Sequence, residues 1–475
     1  MSPILVFSIV GGYFIFLMAI SFFTAGKASN EAFYTGNRNS PWFLVAFGMV
    51  GATLSGVTFI SVPGKVGVDG FYYFQIVLGY VLGYLVIGTV LLPLYYKLNL
   101  VSIYTYLEQR FGFWSYKTGA SFFLLSRIIG ASFRLFLVAI VLQVSLFDPI
   151  GVPFWVSVII TIALIWAYTF RGGIKTIVWT DTLQTLFMIT SVIVAIFLIS
   201  KKLDKDLFEI GAMISDSDYS KVFNWNFGEK TFFLKNFLAG AFITIVMTGL
   251  DQDMMQKNLS CRSLKDAKKN MFWFTIVLVI FNIVFLSLGA LMYIYSDTIK
   301  MTLPERADLL FPTIALNHLG LFGGITFLLG ITAAAYSSAD SALTALTTSF
   351  CVDILNEPEV SRKKRNLIHF GFSTCIFIVI IIFEAINDSS VIDAIFNVAG
   401  YTYGPLLGLY SFGLFTKKQV IDKFVPIVAI VSPVLSFVIN LYSKQLLFGY
   451  VFGFEILILN GLLTFIGLWL IRRKA

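Results

Sequence analysis

Apolar runs of about 20 residues, the length that crosses a bilayer, recur along nearly the whole chain with short polar segments between them. They predict spans near 3–23, 41–63, 71–98, 118–145, 151–170, 178–200, 232–255, 271–296, 321–353, 366–385, 391–415, 422–442 and 449–471. The expected fold is therefore an all-α polytopic membrane protein of about thirteen transmembrane helices. Composition agrees: of 475 residues 58% are hydrophobic and only 13% charged, and the mean hydropathy of +0.86 excludes a soluble domain. The first run, Pro3 to Phe23, has no basic segment before it and no small-residue cleavage motif after it, so it reads as a retained helix rather than a signal peptide.

Thirteen crossings put the termini on opposite sides of the membrane. Lys and Arg are divided unequally between alternate loops, 22 in one set and ten in the other, with Arg127 and Arg134 inside a span. The excess of basic residues on cytoplasmic loops then places the N-terminus outside and the C-terminus in the cytoplasm, in the inner (plasma) membrane. The same excess accounts for the net charge of +8 without a nucleic-acid partner, and nothing in the sequence asks for an obligate protein partner. Cys261, Cys351 and Cys375 lack C-x-x-C spacing, and His318 and His369 make no metal pattern.

Polar residues inside the apolar runs change the picture. In Ile331 to Phe350, the residues Ala334, Ser337, Ser338, Ser341 and Thr344 recur at i, i+3, i+4 and i+7, so a helix brings them to one face. Close helix packing could use such a face, and so could a hard cation, which wants several oxygen ligands. Asp340, an ionisable group at span depth, favours the second use. Two spans also carry breaks. The second holds Gly48, Gly51, Ser55, Gly56, Thr58 and Pro63, and the seventh holds Thr248 and Gly249 just before Asp251, Gln252 and Asp253. They stand five spans apart, which predicts two five-helix halves of opposite topology, each opening with a broken helix. The divisions follow: 1–40 an extra helix and inner loop, 41–200 the first half, 201–231 an outer loop, 232–415 the second half, and 416–475 two extra helices.

Four segments carry a family resemblance: RGGIKTIVWTDTLQ (Arg171 to Gln184), GLDQDMMQKNL (Gly249 to Leu259), AAAYSSADS (Ala333 to Ser341) and YGPLLGLYSFGLF (Tyr403 to Phe415). With them the chain resembles the sodium/solute symporter family, which shares the five-plus-five inverted repeat of the leucine transporter. The resemblance implies import of a small organic solute with Na+. It also implies a first sodium site made by the backbone oxygens of Gly51, Leu54 and Ala334 and the hydroxyls of Ser337 and Ser338. Family members similar to sialic-acid carriers hold a second sodium at the W-T-D-x-x-Q aspartate, here Asp181, and at a hydroxyl pair that here reads Asp340 and Ser341. A carboxylate at that pair could strengthen a cation site, or the two acids could share a proton; a helix-end charge is the structural reading of Asp181.

For the solute, Ser55 and Thr58 lie one turn apart on the broken second span, Gln75 follows on the third, and the fourth carries Arg127 and Arg134. A guanidinium fork matches a carboxylate. Arg134 is the candidate for it, against an internal salt bridge, whereas Arg127 is expected to pair within the protein. In sialic-acid-like members Ser, Thr, Gln and Arg groups hold the acid, so Ser55, Thr58, Gln75 and Arg134 form the expected solute set, leaning to sialic acid or a monocarboxylate. A hexose or inositol carrier is the alternative, weakened by Gly56, Val57 and Thr58 where the sugar branch shows acid or amide side chains. A membrane sensor is a different class, and only about four polar residues follow the last span to serve one. An enzyme would need motifs that are missing: no H-E-x-x-H, no G-x-S-x-G.

Overall fold

The computed structural model describes residues 3–24, 38–169, 173–357, 359–386, 390–447 and 449–473. Lys27, Arg171 and Lys474, three of the loop charges counted above, lie outside the described residues. The principal helices are α1 (Pro3–Thr24), α2 (Trp42–Asp69), α3 (Tyr73–Val86), α4 (Phe113–Leu142), α5 (Phe154–Thr169), α6 (Gly173–Lys202), α7 (Phe233–Thr244), α8 (Gln252–Leu259), α9 (Leu264–Thr298), α10 (Gly320–Ser349), α11 (Arg362–Ile386), α12 (Val391–Thr402), α13 (Gly404–Phe415), α14 (Val425–Leu441) and α15 (Ile456–Leu470). No β-strand occurs among the described residues; two isolated bridges, Ser40 to Cys261 and Val420 to Arg472, fasten loop ends.

Every expected span has helix along it. By length and apolarity, seven helical stretches among the described residues qualify as crossings, or eight with one bent pair, alongside five shorter apolar helices. The number thirteen therefore stays an expectation. Its elements do not all appear as single rods: the span expected at 391–415 is two helices that meet at Tyr403, and Trp42–Lys97 runs through two expected spans almost without interruption.

The two expected breaks are present. Within α2, Ser55 leaves helical geometry at φ 27° and ψ 174°. A non-glycine residue there costs on the order of 1–3 kcal/mol, a cost that the surrounding packing has to meet. Ser55 caps its own break, since its Oγ accepts from Val57 N at 3.3 Å. The seventh span breaks at Leu250 and Asp251, and its halves bend by 64°. Asp251 caps α8 by accepting from Asp253 N and Met254 N. The carbonyls set free at this break are taken by tyrosines: Tyr95 donates to Gly249 O at 2.8 Å and Tyr104 to Leu250 O at 3.0 Å.

Helix α10 packs along α6, α2 and α4 and is buried without interruption from Gly330 to Ser349. Helices α2 and α6 touch closely because α2 presents glycines. A Cβ on Gly48 would stand 3.2 Å from Asp181 Cβ, and Thr185 fills the space where a Gly51 side chain would be. Thr182 and Thr185 of α6 then reach the Leu44 and Phe47 carbonyls of α2 at 3.3 and 3.1 Å. Small residues on one helix and back-bonded hydroxyls on the other are how membrane helices approach each other.

Candidate functional site: a cation seat beside a solute cavity

The break at Ser55 makes Gly51 to Leu54 the last turn of the lower half of α2, where carbonyls run out of i+4 amides. Helix α10 faces that turn. Ser338 Oγ lies 3.3 Å from the carbonyl oxygens of both Ala52 and Ala334, which brings the hydroxyl column of α10 against the broken turn of α2. Gly51, Leu54, Ala334, Ser337 and Ser338 are all buried. Carbonyls at a helix break and hydroxyls within reach of them suit a hard monovalent cation.

Next to Ser338, Ser337 turns to α6, where its Oγ donates to Asp181 Oδ1 at 2.6 Å. The other oxygen of Asp181 receives Lys257 Nζ of α8 at 2.7 Å, and both side chains are almost wholly shielded from solvent. Sequence reasoning missed Lys257, although it stands within the quoted GLDQDMMQKNL segment. Ser341 Oγ faces the same carboxylate but falls short of hydrogen-bond geometry. Asp340 is buried, and its Oδ1 accepts from Ser341 N. An ammonium thus already holds one oxygen of the Asp181 carboxylate, a partner that the reading of Asp181, Asp340 and Ser341 as a cation site did not include.

Adjoining the cation seat at Leu54 is a cavity with an empty volume of about 710 Å³, lined among others by Leu54, Ser55, Thr58, Tyr73, Arg127 and Arg134. The two arginines behave differently. Arg127 is bound to Asp253 and lies 3.8 Å from Asp251, which also accepts from Tyr403 Oη at 2.6 Å. Arg134, seven residues along the same helix, is half-buried and has no ion-pair or hydrogen-bond partner among the described residues. Asn282 of α9 also lines this cavity and was not expected there.

Gln75 is the one member of the expected solute set that the structure puts elsewhere. It is fully buried outside the cavity lining. Its Nε2 donates to Tyr72 O and Thr231 O at 3.1 and 3.0 Å, and its Oε1 accepts from Asn224 N at 3.2 Å. Through Thr231 and Asn224 the amide clamps the segment before α7 onto α3. A second cavity, with an empty volume of about 1050 Å³, opens beyond Tyr73, which lines both. Over it Lys65 of α2 reaches Asp393 of α12 at 2.5 Å.

A sodium:solute symporter family model matches residues 33–421. Among curated proteins, a sodium/sialic acid symporter of Aliivibrio fischeri is 24% identical over 94% of this chain and 90% of its own length. A second sodium/sialic acid symporter, from Proteus mirabilis, is 22% identical over 96% and 94%. The sodium-coupled monocarboxylate transporter 1 of Xenopus laevis is 27% identical over 86% of this chain and 66% of its own. Among solved structures, a substrate-bound, outward-open sodium-coupled sialic acid symporter superposes with a TM-score of 0.82 at 20% identity, covering 99% of each chain. These relatives are transporters, not enzymes, and the superposition carries the fold.

Proposed function

The chain belongs to the sodium:solute symporter family, and on that premise we propose that it imports a carboxylate-bearing organic solute with sodium, the carboxylate held by Arg134. The observation that carries this reading is the contrast between the two arginines of α4. Arg127 has its acids, while Arg134 stands at the cavity wall with no ion-pair or hydrogen-bond partner among the described residues. A guanidinium withdrawn from water needs an anion, and its planar fork suits a carboxylate better than any neutral group. Ser55 and Thr58, from the broken turn, supply hydroxyl contacts next to it. Likeness to sodium/sialic acid symporters and to a sodium-coupled monocarboxylate transporter supports the same solute class.

Sodium sits in this reading between Gly51, Leu54 and Ala334 carbonyls and the Ser337 and Ser338 hydroxyls, directly under the solute. Both halves of α2 then belong to one device: the lower half's last carbonyls hold the ion and the upper half's first turn holds the solute, so each ligand orders the break for the other. Asp181, occupied by Lys257, is charge-balanced without a second sodium, and the reading takes one sodium per solute. Residues 41–200 and 232–415 are the two halves whose relative movement exposes the site to either side, in the plasma membrane with the N-terminus outside. The test is uptake of radiolabelled sialic acid into proteoliposomes under a sodium gradient, with lactate and glucose as competitors. Sodium-driven uptake displaced by an acid and not by glucose supports the reading; displacement by glucose alone sinks it.

A further inference from the structure

Asn282 sits in the middle of α9, in the otherwise apolar stretch Phe281 to Phe285, and its side chain is 2% exposed. Its Nδ2 donates to Leu278 O, one turn back, at 2.8 Å. A carbonyl can only accept, so the amide nitrogen must be the end bonded to it, and the orientation of the amide is fixed. The Oδ1 is left as an acceptor with no hydrogen-bond partner among the described residues. Asn282 lines the same cavity as Arg134, and so does Thr53, whose buried Oγ1 also lacks a partner. Buried acceptors are ordinarily satisfied, and one that lines a solute cavity is placed to take its donor from water or from the solute that displaces it.

We infer that Asn282 is a specificity residue that accepts a hydrogen bond from a hydroxyl or amide N–H of the solute, so that the solute is an acid bearing such a donor rather than a plain alkyl carboxylate. The inference rests on the reading of the cavity as an acid site. Arg134 recognises the charge and is indifferent to what the rest of the solute carries. Asn282 and Thr53 supply the second criterion, because an acid without donors would fill the cavity and leave the buried Oδ1 unpaired. Sites built to hydrogen-bond a solute hydroxyl discriminate strongly against analogues that lack it, whereas apolar walls discriminate weakly. Tyr73, Tyr80 and Tyr84, on one face of α3 and lining the cavity, give a ring-bearing solute an aromatic wall.

The experiment compares two ring acids as competitors of sodium-driven sialic acid uptake, sialic acid itself and cyclohexanecarboxylate, in the wild type and in Asn282→Leu. In the wild type, cyclohexanecarboxylate should compete at least about 10-fold more weakly, the loss expected from a buried hydrogen bond left unmade. In Asn282→Leu, the KM for sialic acid should rise by about the same factor while half-saturating sodium stays put, and the preference between the two acids should narrow. Equal competition by the two acids in the wild type overturns the inference, and that arm decides even if the variant does not fold. An unchanged sialic acid KM in a folded Asn282→Leu overturns it as well. Loss of acid uptake altogether, or its independence from sodium, strikes instead at the symport reading on which the inference stands.

Discussion

Lys257 Nζ stands 2.7 Å from Asp181 Oδ2, with both side chains almost wholly buried in the protein. This pair joins α8, the second half of a broken span, to α6, and Ser337 ties the same carboxylate to α10. Removing one partner of a buried ion pair leaves an unpaired charge, which typically costs about 3–5 kcal/mol, whereas replacing both is close to neutral.

Asp181→Asn and Lys257→Met should therefore each lower the unfolding temperature of the purified protein markedly, and the double variant should recover most of the loss. Thermal unfolding in detergent measures this. Additive losses in the double variant would mean that the two side chains do not act as a pair.

The ion seat makes a separate demand. Ser338→Ala removes one oxygen of about five and should raise half-saturating sodium several-fold, in line with roughly 1 kcal/mol for one hydrogen-bonding group. Solute affinity at saturating sodium should hardly move. Sodium titration of uptake checks it, and a variant with normal sodium dependence and weakened solute affinity would place Ser338 in the solute site instead. The same titration in the wild type should show a sodium Hill coefficient near one, because Asp181 already has its cation.

Gln75→Leu should leave the KM for acid within about two-fold of the wild type and loosen the segment from Asn224 to Thr231 instead. Two hydrogen bonds of the Gln75 amide, to Thr231 O and from Asn224 N, hold that segment, so hydrogen exchange there should accelerate. A large rise in KM with an unchanged exchange pattern would return Gln75 to the solute set.

Which of these features could be read from the residues follows from how local they are. The break at Ser55 and the one before Asp251 announce themselves through glycines, hydroxyls and acids crowded into single turns, and the hydroxyl face of α10 is a matter of helical spacing. The place of Gln75 is not legible in the sequence because two of its partners lie about 150 residues away, where the segment before α7 folds back over α3. Lys257 carries no signal of its own in the sequence, since the carboxylate that gives it meaning lies 76 positions earlier. Asn282 carried one usable signal, an amide alone in an apolar span, but an amide can satisfy itself on its own helix. Only the direction of its bond to Leu278 shows that the oxygen is left over. The number of crossings depends on where rods end, and the meeting of α12 and α13 at Tyr403 has no counterpart in hydropathy alone.

Whether sodium drives an acid held by Arg134 is decided by the sodium-gradient uptake of radiolabelled sialic acid into proteoliposomes by the wild type and by Arg134→Lys, with sodium and acid each titrated. A lysine keeps the charge but replaces a two-pronged donor with a point charge on a flexible stem. The account predicts that the KM for the acid rises at least about 10-fold in Arg134→Lys while half-saturating sodium stays within about two-fold, the loss of one charge-assisted hydrogen bond being worth roughly 1.5–3 kcal/mol. Unchanged acid affinity in a folded Arg134→Lys, or wild-type uptake that proceeds equally without sodium, would contradict it.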